Sequence, residues 1–128
     1  MIKEYVKTSK APAPIGPYSQ AIIASGKLIL TSGQLPIDVH TNQMVEADIR
    51  KQTRVVIENL RAILQSAGSD LDRVIKTTVY LKNMSDFAAM NDIYNEYFAS
   101  GVPARTTIEV ARLPKDSLIE IDCIALTD

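Results

Sequence analysis

The chain has 128 residues, 46% apolar and 23% charged, with a formal net charge of −1 and a pI near 5.8. That length suits one domain, residues 1–128, able to bury roughly two thirds of its unfolded surface without metal or disulfide staples. The charge leaves no electrostatic footprint for nucleic acid, which binds through dense Lys and Arg, and the lone Cys123 excludes an internal disulfide.

The N-terminal stretch MIKEYVKTSKAP has no apolar signal core, and no later stretch is long and apolar enough to span a bilayer. The expectation is a cytoplasmic protein with no membrane partner. A short strand is predicted near Ile2–Val6. Pro and Gly then cluster over residues 11–17 (APAPIGP) and 33–36, which read as loops. Between them, Ala21–Ser25 and Leu28–Ser32 flank Gly26-Lys27 and predict a hairpin.

A long helix is predicted from about Glu46 to Ala67. Ile49, Thr53, Val56, Leu60, Ile63, Leu64 and Ala67 recur at three- and four-residue steps as one stripe, and Gly68 ends it. Val74–Leu81 alternates, with Ile75, Val79 and Leu81 on one face and Lys76, Thr78 and Tyr80 on the other. A second helix runs from about Ser85, as N-cap, to Phe98, with Phe87, Met90, Ile93, Tyr94 and Tyr97 on its apolar side. Arg105–Val110 and Leu118–Leu126 are the last strands, joined by a turn at 113–116. The order β-β-β-α-β-α-β-β predicts an α+β fold, a mixed sheet with two helices on one face.

Alternation sorts the last two strands by face. Ile119, Ile121, Cys123 and Ala125 lie under the helices, with Cys123 filling the core. Ile108 and Val110 are read as facing the helices and Arg105, Thr107 and Glu109 as facing away. The uncovered face then carries Leu118, Ile124 and Leu126 beside Glu120 and Asp122. Apolar groups of that size on an open face predict cover by another subunit. Arg105 and Glu120 would sit near that seam. A planar guanidinium suits a carboxylate ligand, and Glu suits activation of a water. An Arg–Glu ion pair across the interface, with no ligand, is the alternative, and Asp122 and Glu109 are read as interface partners.

Three motifs resemble those of the Rid (YjgF) family: residues 15–20 (IGPYSQ), 31–36 (TSGQLP) and 76–81 (KTTVYL). The closing run 103–105 (PAR), 109–116 (EVARLPKD) and 119–121 (IEI) resembles its RidA-like branch. In order and spacing these cover nearly the whole chain. The resemblance implies a chorismate-mutase-like fold, a homotrimer with sites between subunits, and hydrolysis of reactive 2-imino and enamino acids to 2-oxo acids and ammonia without a cofactor. By position, Arg105 resembles the carboxylate clamp and Glu120 the residue that positions the water. Ser32 and Gly33 resemble the wall near the imine nitrogen, Tyr18 the aromatic cover, and Asn91 a structural support. Thr107 stands where many relatives carry Cys, which argues against thiol chemistry there. By alternation it shares a face with Arg105 and should line the same cleft.

The remaining candidates read more plainly. His40 lies in a loop without ligand-like spacing, so no metal is expected. Ser32 has no Gly-x-Ser-x-Gly setting and is a contact rather than a nucleophile. Tyr18, taken without the family, is a loop residue packing on the sheet. A second function remains open beside the deaminase: a non-catalytic 2-oxo-acid-binding or regulatory module using the same cleft, which would need Arg105 but not Glu120.

Overall fold

Each run of alternating residues becomes a strand, and each 3.6-residue stripe a helix. The computed structural model describes residues 2–128. In chain order these form β1 (Ile2–Val6), β2 (Ala21–Ser25), β3 (Lys27–Leu30), the two-residue strands β4 (Ile37–Asp38) and β5 (Gln43–Met44), α1 (Ile49–Ser66), β6 (Val74–Leu81), α2 (Phe87–Phe98), β7 (Ala104–Glu109) and β8 (Ile119–Thr127). The central sheet has the order β3-β8-β6-β7. β6 and β7 are parallel, joined by α2 as the crossover, and the other pairs are antiparallel. This is the expected α+β architecture, a mixed sheet with two helices against one face.

The core lies between helices and sheet. Val56, Ile57, Leu60 and Leu64 of α1 and Met90, Tyr94 and Phe98 of α2 cluster with Val79, Leu81, Ile119, Ile121, Cys123 and Ala125. Burying each large apolar side chain contributes about 1.5–3 kcal/mol. No helix among the described residues is long and apolar enough to cross a membrane.

Four local expectations are corrected. The hairpin does not form: β2 pairs with β1, and β3 pairs with β8. Only Gly26, at φ 140°, separates β2 from β3, too little chain for a two-residue hairpin turn. Helix α1 starts at Ile49 rather than near Glu46, because extended Asp48 caps it by accepting from the Lys51 N–H. Ser85 caps nothing: it lies in a 3₁₀ turn, Met84–Asp86, ahead of α2, whose Met84 N–H donates to Glu109 Oε1 at 2.8 Å. On β6 a bulge between Val74 and Lys76 puts Val74, not Ile75, opposite Ala125 in the core.

The correction that matters most concerns β7. In register, Arg105 aligns with Thr77, Thr107 with Val79 and Ile108 with Tyr80. On the other side of β6, Thr77 aligns with Cys123, Val79 with Ile121 and Tyr80 with Glu120. Aligned residues share a face, so Arg105 and Thr107 point into the helix layer. Ile108 and Glu120 share the open face. The phase of β7 is the reverse of the sequence expectation. The open face still carries apolar groups: Leu28, Leu30 and Ile108 are 52%, 69% and 42% exposed.

Candidate functional site

Arg105 leaves the edge strand β7 and runs under α2. Its Nε, Nη1 and Nη2 are all buried, and none has a hydrogen-bond partner among the described residues. A buried cation without a partner is costly. Among the described residues, three aromatic rings compensate it. Its Cζ lies 4.8 Å from the Tyr94 ring centre, 5.1 Å from that of Tyr18 and 5.7 Å from that of Phe87. Such contacts contribute about 0.5–2 kcal/mol each. Burial pushes the guanidinium below its usual pKa, opposed by Tyr94 and Tyr18, and arginine stays protonated regardless.

Three parts of the chain build this box. The first is a proline-rich strap before β2. Ser19 donates its N–H to Pro103 O at 3.0 Å and its hydroxyl to Val102 O at 2.5 Å, laying the strap parallel to the start of β7. Gln20 holds the strap's earlier residues: its Nε2 donates to the carbonyls of Thr8, Ala11 and Pro12, and its Oε1 accepts from Thr8 N–H. Tyr18 is fixed as its phenol oxygen accepts from Ile15 N–H at 3.1 Å. Gly16 makes the fit: a Cβ there would lie 3.1 Å from both Arg105 Nη2 and Asn91 Nδ2.

The second part is α2. As the crossover from β6 to β7 it must pass over Arg105, and it presents Phe87 and Tyr94 two turns apart on one face. The third is β6, where Thr77, beside Arg105 in register, hydrogen-bonds the Tyr94 hydroxyl at 2.7 Å. Both residues are fully buried. Two further orphans belong to this side of the molecule, the buried Asn91 Oδ1 and Thr107 Oγ1, neither with a partner among the described residues.

Glu120 stands on the other face of the sheet. Burial raises its pKa, and the neighbouring Asp122 adds to the rise. Asp122 accepts from the Tyr80 hydroxyl at 2.9 Å. Beyond β3, Thr31 bonds Cys123 and Gln34 bonds Ile121, so Ser32 and Gly33 bulge together opposite Asp122. A Cβ on Gly33 would collide with the Glu120 carboxylate, whose Cδ would be only 2.7 Å away. The absent side chain is what lets the carboxylate lie against the main chain there.

The sequence candidates therefore divide. Arg105, Tyr18, Asn91 and Thr107 belong to the helix-side cluster, while Glu120 and Gly33 meet on the open face, with Ser32 in the same bulge. Cys123 is a core residue, its thiol pushed up to about 11 by burial. His40 is exposed in its loop, its N–H donating to Asp38 Oδ1 at 2.8 Å. Gly16, Phe87, Tyr94 and Thr77 were not foreseen as neighbours of Arg105. The signal for Phe87 and Tyr94 was their seven-residue spacing on a helix that must cross β7. Two surface cavities flank the strap, of about 410 and 530 Å3. Tyr18 lines the first, and Gly16 and Asn91 line the second.

Fold and site together define an α+β protein, a mixed sheet with two helices on one face, with an aromatic-boxed arginine at the edge of its sheet. Residues 8–127 match the family described as Endoribonuclease L-PSP. A RutC family protein of Pyrococcus abyssi is 56% identical over 98% of both chains. Among solved structures, a protein of the conserved Rid family from Yersinia pestis, YyfA, is 46% identical with a TM-score of 0.77, covering 98% of this chain and all of the other. TdcF of E. coli, solved with bound serine, is 38% identical with a TM-score of 0.76, covering 98% and 99%. The chain belongs to the Rid (YjgF) family, as its motifs led one to expect.

Proposed function

We propose that the protein hydrolyses reactive 2-imino and enamino acids, such as 2-iminopropanoate and 2-iminobutanoate, to 2-oxo acids and ammonia. Family membership supports a general role in deaminating reactive intermediates. The observation that carries the finer reading is Arg105, a buried guanidinium with every nitrogen unpartnered. Such a group suits a ligand that brings two acceptor oxygens, which a carboxylate does. Bound serine in the related TdcF is a ligand of that class. The rings of Tyr18, Phe87 and Tyr94 lie around the guanidinium and offer it no competing acceptor.

A protonated imine is already electrophilic at C2. Water adds there, its oxygen forming the new bond while Glu120 accepts the proton. Glu120 passes that proton to the nitrogen, the C–N bond breaks as the hydroxyl on C2 gives its remaining proton back to Glu120, and ammonia leaves with C2 as a ketone. General-base help of this kind is worth about 10²–10⁴-fold. The raised pKa of Glu120 strengthens it as a base. Ser32 and the backbone of Gly33, beside Glu120, border the nitrogen, and Thr107 Oγ1 and Asn91 line the carboxylate side.

Arg105 and Glu120 leave one sheet on opposite faces, so one subunit cannot bring both to a small substrate. The site is completed between subunits of a homotrimer, with exposed Leu28, Leu30 and Ile108 in the seam. A binding-only module would use the Arg105 half alone.

The test is release of 2-oxobutanoate from enzymatically generated 2-iminobutanoate, with semicarbazide competing for the imine. Wild type should accelerate it and Arg105→Ala should not. Binding of 2-oxobutanoate without acceleration would favour the binding module. Acceleration undiminished in Arg105→Ala would remove Arg105 from the site.

A further inference from the structure

We propose that Tyr94 and Thr77 are positioning residues for the Arg105 guanidinium, acting through their buried hydroxyl–hydroxyl bond to fix the ring on which the carboxylate clamp rests. The inference rests on the reading of Arg105 as that clamp and adds two residues that the family resemblance did not assign.

The geometry sets Tyr94 apart from the other two rings. Tyr18 sits on a strap and lines a cavity, and Phe87 is only partly buried in the first turn of α2. Tyr94 is fully buried, has the shortest distance to the guanidinium carbon, 4.8 Å, and stacks at 4.4 Å against the Phe98 ring. Its hydroxyl reaches back to β6 and meets Thr77 Oγ1 at 2.7 Å. Thr77 is the residue aligned with Arg105 on the neighbouring strand. A ring tied at its far end to the strand beside the arginine has its plane set with respect to that arginine.

A cation resting on ring faces keeps its in-plane N–H donors free. An acidic partner would occupy those donors and compete with an incoming carboxylate. Tyr94 so tied provides a floor of set angle, and the guanidinium loses less freedom when the ligand arrives. A polar pair at zero exposure has another conceivable use, to satisfy its own hydrogen bonds. The two uses predict different behaviour when both hydroxyls are removed, because the double change leaves no polar group unpaired.

Binding of 2-oxobutanoate is measured by calorimetry for wild type, Tyr94→Phe, Thr77→Val, the double variant and Tyr94→Leu, with Arg105→Ala alongside and thermal melting on each. The expected result is affinity about threefold weaker in each hydroxyl deletion, still weaker than wild type in the double variant although its melting recovers, and about tenfold weaker in Tyr94→Leu. In turnover the loss should fall on KM, with kcat nearly unchanged. Wild-type affinity in both hydroxyl deletions would overturn the proposal, as would affinity in the double variant that recovers together with melting. Should Tyr94→Leu fail to fold, the hydroxyl deletions alone decide. Unchanged affinity in Arg105→Ala would instead sink the clamp reading itself, so the two failures are told apart.

Discussion

In the central sheet Arg105 aligns with Thr77 and Cys123, whereas Glu120 aligns with Tyr80 and Ile108, so the two side chains leave the sheet on opposite sides. If a site takes Arg105 from one subunit and Glu120 from another, two inactive variants should complement. Arg105→Ala and Glu120→Gln, refolded together in equal amounts, should recover activity in roughly a quarter of sites for random assembly of a closed ring. Either variant refolded alone should stay inactive. No recovery, in mixtures shown to contain both chains in one oligomer, would refute the shared site.

Gly33 owes its importance to Glu120. Because a Cβ there would meet the far end of a flexible carboxylate, Gly33→Ala should fold and melt nearly as wild type. It should nevertheless push the carboxylate off its place and lower kcat on the order of 10²-fold, the worth of a positioned base. Binding of 2-oxobutanoate, assigned above by proposal to Arg105, should be kept. Full turnover in Gly33→Ala would show that Glu120 needs no such placement.

Glu120 also sets a pH expectation. In the proposed role of base it must be ionised, and burial and Asp122 raise its pKa. The acid limb of the rate should therefore lie above the usual glutamate range. Asp122→Asn removes one negative neighbour, and the limb should move part of the way down, since burial is the larger cause. The sign for stability is opposite: a raised folded-state pKa favours the folded state at low pH, and that contribution is lost as pH rises through it. A limb unmoved by Asp122→Asn would remove Asp122 from the explanation.

Stability should depend on Gln52 more than on the surface ion pairs. Gln52 is buried, donates to the carbonyls of Val45 and Glu46 at 3.3 Å, and accepts from Leu118 N–H at 2.9 Å. Gln52→Leu leaves these groups without their partner and should cost about 1–3 kcal/mol in denaturant unfolding. Arg50→Ala and Arg54→Ala each break a largely exposed bridge between α1 and α2 and should cost about 0–1 kcal/mol. Equal losses would contradict this ranking.

Much of the fold was legible from periodicity, because α1, α2, β6 and β8 each put a regular stripe into one core. The phase of β7 was not. Alternation separates its residues into two sets but does not say which set faces the helices, and placing the apolar set inward sends Ile108 inward and Arg105 outward. The sheet does the reverse, since Arg105 is buried in an aromatic box and Ile108 belongs to a face with exposed apolar neighbours. A site inverts the usual rule that charge faces water, and a six-residue edge strand has too few residues to correct the error. The pairing of β2 with β1 was hidden for another reason: one glycine between two strands looks like a turn unless its partners are known. The family motifs pointed to Arg105, Glu120 and Gly33 without revealing which side of the sheet each occupies.

The strap's attachment to β7 has a consequence for how the molecule comes into being. Ser19 is joined to Val102 across 83 residues of chain, and the box around Arg105 draws on residues 16–18, 77, 87–94 and 105. Closing so long a loop is entropically unfavourable until the intervening sheet exists. The strap precedes β7 by about 80 residues yet has nowhere to dock until that strand has been made. The box around Arg105 is therefore among the last parts of this fold to assemble, and a chain that ends before β7 cannot form it.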